Sequence, residues 1–167
     1  RVLFRSHSVE TLTSTRRTPI SECFSHEAWR LLDANFSRVL RMPEDLESRS
    51  AMLLGSHFAG LAVEQSSLGP AHALAQPLVR NYKLAHGVAV ALVLAHTLEL
   101  LDERASLAER LRHLAAAAEL PATLHEAGIP EHALPRLAEE ASAQWTGRFS
   151  SQHFDAEAAL EIYRAAY

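Results

Sequence analysis

The chain has 167 residues, 48% of them hydrophobic and 22% charged, with a formal net charge of -4. That is the composition of one globular domain with a real core, not of a disordered segment. No basic patch stands out, so nucleic acid and anionic membrane are excluded as expected partners.

The first six residues, Arg1 to Ser6, translate the end of a widely used sequencing adapter, CGT GTG CTC TTC CGA TCT. They read as foreign, and a genuine short strand is the alternative. The domain proper then runs from 7 to 167.

Thr18-Pro19 is a cap followed by proline at the first helical position. Phe24, Ala28, Leu31, Leu32, Phe36 and Val39 follow at helical spacing. Pro43 predicts the next helix start, with Glu44 and Asp45 in its positive first turn. Its predicted core face is Leu46, Leu53, Leu54, Phe58, Leu61 and Ala62. Gly55, Ala59 and Gly60 predict close approach of another helix, since glycine inside a helix costs about 1 kcal/mol relative to alanine.

Gly69-Pro70 opens another helix, and Pro77 predicts that it kinks or ends near Tyr82. Val88 to Leu101 reads as a buried helix, too short to span a bilayer. Ser106 and Glu109 form a predicted capping box. Helices are predicted from Pro135 to about Trp145 and from Asp155 to about Ala166. The expected fold class is all-α.

Cys23 is the only cysteine, so no intrachain disulfide forms within the chain. A reducing, cytoplasmic setting fits, and no signal peptide is legible. Cys23 is expected to pack inside its helix.

Ten histidines are present. His26, His113, His125, His132 and His153 sit among polar neighbours and read as surface residues. His57 and His96 lie in apolar helices and read as hydrogen-bonded core histidines. His72 and His86 carry more weight. They lie at the starts of consecutive helices, and a kinked helix with a short return can bring such ends together. Imidazole is a common ligand for zinc and iron, but spacing alone is a weak signal. Glu139 and Glu140 read as a solvated pair. No glycine-rich phosphate loop and no nucleophile elbow occur.

The stretch from Ala59 to Leu78, with Gly69-Pro70-Ala71-His72-Ala73-Leu74-Ala75-Gln76-Pro77-Leu78 at its end, resembles the signature of the iron-containing alcohol dehydrogenase family. Ala85-His86-Gly87-Val88-Ala89-Val90 resembles the family's second histidine motif. His7-Ser8-Val9-Glu10 resembles its first, D-x-x-x-H-x-x-E. Leu134 to Ala138 and Leu160 to Tyr163 also fit, so the resemblance spans about His7 to Tyr167.

The resemblance implies the helical, dehydroquinate-synthase-like C-terminal domain of such an enzyme, its N-terminal nucleotide-binding domain lying outside this chain. It implies metal ligands at His7, His72 and His86, with Fe(II) or Zn as the metal. The family's aspartate ligand falls at Leu3. Gln76 stands where many members carry a second histidine near the nicotinamide, and an amide cannot titrate. Ala95-His96 stands where proline-histidine is usual. NAD or NADP is expected to bind mainly to the other domain, and the partners are a small alcohol or aldehyde and a candidate homodimer mate. The chain alone is expected to be inactive. A polyol, glycerol-type dehydrogenase is the near alternative. A non-catalytic helical interaction module is the distant one.

Overall fold

Thr18 and Pro19 start their helix as the sequence predicts. The Thr18 hydroxyl accepts the Ser21 N–H at 3.1 Å, and the Ser21 hydroxyl accepts the Thr18 N–H at 2.8 Å. This reciprocal capping fixes where the helix begins. The computed structural model describes residues 3–101 and 105–167, with side chains from residue 5 onward. Its described regular structure is helical throughout: α1 (Leu3–Thr13), α2 (Pro19–Arg41), α3 (Leu46–Glu64), α4 (Pro70–Tyr82), α5 (His86–Leu101), α6 (Ala105–Ala117), α7 (Leu134–Ser142) and α8 (Ala156–Ala165). Short 3-10 turns lie at Glu131–Ala133 and Trp145–Phe149. None of the described helices is long and apolar enough to cross a membrane. The chain divides into two compact units, Arg1–Leu68 and Gly69–Tyr167.

In the first unit α1, α2 and α3 pack on one another. Ala28, Leu31, Leu32, Phe36 and Val39 of α2 are buried, and Phe24 stacks on Phe58 with centroids 5.9 Å apart. The Thr11 and Ser25 hydroxyls hydrogen-bond at 2.7 Å between α1 and α2. Residues 3–6 form the first turn of α1, which overturns the alternative of a short strand. Arg5 is 1% exposed, and its guanidinium carbon lies 3.5 Å from the Phe36 ring centroid.

Three expectations for α3 need correction. The helix begins at Leu46, not Pro43, because the Asp45 carboxylate accepts the Ser48 N–H at 3.0 Å and caps it. The core face is also different. Leu46, Leu53 and Leu54 are exposed, by 76%, 73% and 47%, while Met52, Gly55, Ala59 and Ala62 are buried. The cause is close approach: a Cβ on Gly55 would lie 2.9 Å from Leu32 Cγ. Small side chains face α2, and the leucines are left outside. Gly60 takes no part, since a Cβ there would meet nothing within 4 Å.

In the second unit α4 packs against α5, α7 and the Trp145–Phe149 turn, and α8 against α5 and α7. Helix α4 carries Pro77 inside it and ends at Tyr82, as expected. Helix α5 starts at His86, two residues before the predicted Val88, because the Ala85 carbonyl accepts the Val88 and Ala89 N–H groups. Ser106 lies inside α6 and is not its cap. Helix α7 stops at Ser142, and the Trp145–Phe149 turn replaces its predicted last residues. A Cβ on Gly147 would lie 2.5 Å from Phe154, which explains a small residue there. Asp155 caps α8 by accepting the Ala158 N–H at 3.0 Å.

Tyr163 of α8 is fully buried and donates its hydroxyl to the Leu74 carbonyl of α4 at 2.5 Å. Burial first, and the Glu140 charge second, push its pKa up, so the phenol stays a donor. Tyr163→Phe should therefore lower stability by about 1 kcal/mol. Urea unfolding measures this, and an unchanged midpoint would show that the bond adds nothing.

Candidate metal site

Three residues, Lys83 to Ala85, separate α4 from α5. Lys83 takes the left-handed conformation, φ 59°, and its N–H caps the Val79 carbonyl at 3.1 Å. That reversal brings the start of α5 back along α4. His72 lies in the first turn of α4, and His86 is the first residue of α5. Their ring centroids are 5.3 Å apart, with the planes at 51°. His72 is 3% exposed, and its neighbours Ala71, Ala73, Leu74 and Ala75 are fully buried. His86 is half-buried.

The donor chemistry fits a divalent cation. Two imidazoles on one tetrahedral cation, with nitrogens at about 2.0–2.1 Å, place their ring centroids about 5 Å apart. The observed separation is close to that. Among the described residues no group of three or more histidine, cysteine, aspartate or glutamate side chains is assembled for a metal ion.

His7 lies on α1 in the first unit and is half-buried. Glu10, which closes the same motif, is buried. The side chain at Leu3 lies outside the described part. Gln76, one turn after His72, is exposed.

Other histidines behave less uniformly than expected. His26, His113, His125, His132 and His153 are exposed, as predicted, but so is His57, beside the uncovered leucines of α3. His96 is half-buried. Burial first, and the Arg112 guanidinium second, lower its pKa, against a raising effect of Glu99. Both lowering effects favour the neutral imidazole. Cys23 is exposed rather than packed, because it falls off the apolar stripe of α2.

The Glu139–Glu140 pair splits. Glu139 is exposed, whereas the Glu140 side chain is only 18% exposed. Glu140 accepts from Arg80 Nη2 at 2.6 Å, Asn81 Nδ2 at 2.8 Å and Arg136 Nε at 3.0 Å. The Arg136 spacing was legible as an i, i+4 ion pair. The Asn81 and Arg80 contacts, some 60 residues away, were not. Asn81 first, then Arg80, hold the Glu140 carboxyl down to about 2. A depressed carboxylate contributes stability above its unfolded pKa of about 4.3, and that contribution is lost as pH falls toward 2. Acid unfolding of the chain should therefore show a component in this window that Glu140→Gln removes. An unchanged acid limb would sink the assignment.

Comparison with known proteins agrees with these motifs. Residues 4–106 match the family model described as Fe-containing alcohol dehydrogenase family, C-terminal. The chain is 25% identical to a 1,3-propanediol dehydrogenase of Citrobacter freundii, covering 97% of this chain and 48% of that protein. It is 29% identical over 91 residues to an NAD-dependent methanol dehydrogenase of Bacillus methanolicus, covering 54% of this chain and 24% of that protein. A solved alcohol dehydrogenase from Oenococcus oeni shares the fold, with a TM-score of 0.91 at 21% identity, over 98% of this chain and 49% of that one. The chain thus spans about half the length of these relatives, or less. The match covers more than half of the chain and takes in His7, His72 and His86, and by it the chain belongs to the Fe-containing alcohol dehydrogenase family, as a C-terminal, all-α region of it.

Proposed function

We propose that the chain is the metal-carrying part of an NAD(P)-dependent alcohol dehydrogenase, which interconverts a small alcohol and its aldehyde by hydride transfer to and from nicotinamide. The observation that supports this best is the juxtaposition of His72 and His86 at the tight α4–α5 return. His72, His86 and His7 are the residues that would hold Fe(II) or Zn(II). A bound divalent cation supplies Lewis acidity, which lowers the pKa of an alcohol hydroxyl. His72 is set rigidly by the buried first turns of α4, so it orients without rearrangement. Gln76 can donate or accept a hydrogen bond on the exposed side of that helix, but it cannot relay a proton. The relative that covers nearly the whole chain is named for a diol, so small diols stand beside primary alcohols as candidate substrates.

The nucleotide is held mainly by a region outside this chain, since no phosphate-cradling loop is legible here. The chain by itself should therefore be inert, and the longer enzyme active. The test follows NAD(P)H absorbance with primary alcohols and diols, with and without Fe(II) or Zn(II). Turnover by this chain alone, or metal-independent turnover by the longer enzyme, would overturn the reading. A non-catalytic helical module would show neither metal content nor turnover.

A further inference from the structure

We propose that the hollow lined by Arg80, Asn81, Lys83, His132 and Arg136 binds a phosphate dianion, free or as a phosphomonoester. The cavity measures about 550 Å³ and lies wholly within the second unit. It forms where the last turn of α4 and Lys83 face the first turn of α7 and the Glu131–Ala133 turn before it. No aspartate or glutamate is among its lining residues.

Geometry and charge each favour an anion in this hollow, and backbone orientation does not oppose one. Arg80, Asn81 and Arg136 already direct donors at one oxyanion, the Glu140 carboxylate, from two different helices. A guanidinium has five N–H donors, and Glu140 engages one on Arg80 and one on Arg136. Arg80, Lys83 and Arg136 carry three positive charges, Glu140 one negative, which leaves a surplus of two. That surplus matches a dianion, and His132 adds to it when protonated. The lowering of the Glu140 pKa, by Asn81 first and Arg80 next, is consistent with donors converging on an anion here. Helix α4 presents its negative C-terminal end and α7 its positive N-terminal end, about half a charge each. These offset one another, so the side chains decide the sign. Guanidinium forks suit phosphate oxygens in particular.

The site does not depend on the histidine pair, so its test is independent of the proposed activity. The chain, freed of metal with a chelator, is titrated calorimetrically with inorganic phosphate, and in a second arm with glycerol 3-phosphate. Chloride holds the ionic strength constant, because surface charge interactions are screened. Saturable binding is expected in both arms. Equal affinities assign the free ion, and tighter binding of the ester assigns the monoester, with Tyr82 and Leu137 beside its organic part. Lys83→Gln and Arg136→Gln should each weaken binding at least tenfold, about 1.4 kcal/mol. The Arg136 side chain is 78% exposed, so its variant should keep the fold, which circular dichroism checks. His86→Ala should leave phosphate binding unchanged. Absence of saturation above the chloride control overturns the proposal, and so does equal binding by the Lys83→Gln/Arg136→Gln double variant.

Discussion

His86→Ala should lower the affinity for Fe(II) or Zn(II) by on the order of 100-fold or more, while most helical content remains. Residues one step removed from metal ligands already cost about 10–100-fold when replaced, and His86 is expected to be a ligand itself. It starts α5 at a half-buried position, so alanine there should not break the core. Leu3→Asp should act in the opposite direction. Position 3 is one helical turn before His7 on α1, and a carboxylate there would add the fourth ligand that the family resemblance implies. A gain of at least about tenfold is expected, since a hard anionic oxygen balances the cation's charge. Competition against a chelator measures both variants. Unchanged affinity in His86→Ala would remove His86 from the site. A loss of affinity in Leu3→Asp would place position 3 away from the metal.

Arg5→Leu should lower stability by about 2 kcal/mol, a fall of several degrees in Tm. Arg5 is 1% exposed, and its guanidinium carbon lies 3.5 Å from the Phe36 ring centroid, a desolvated cation–π contact that leucine cannot make. Thermal unfolding measures the change, and an unchanged or raised Tm would show that the contact adds nothing. The first six residues match a translated adapter, and re-amplification of the locus from source DNA should show different codons there.

The second helix was legible because cap, proline and apolar period all agreed between Thr18 and Val39. The third was misread because period alone does not say how close a neighbour comes. Gly55 lets Leu32 in, the small face turns inward, and Leu53 and Leu54 are left outside with His57. His72 and His86 were legible as helix-start histidines, but their meeting depends on Lys83 in a left-handed conformation. No glycine marks that turn. The Glu140 cluster was half legible. Arg136 lies one turn away on the same helix, whereas Arg80 and Asn81 arrive from α4 through tertiary packing.

The bond from Tyr163 to Leu74 spans 89 residues, and this sets an order of events during synthesis. Helices α1 to α3 contact sequence neighbours and can form as soon as they leave the ribosome. Helix α4, which carries His72, is made long before α8 emerges to brace it. At about 5–20 residues per second, it waits roughly 4–18 s with an apolar surface uncovered. A chaperone that binds nascent apolar helices would find its substrate in that interval, and a chain ending before Tyr163 would remain such a substrate.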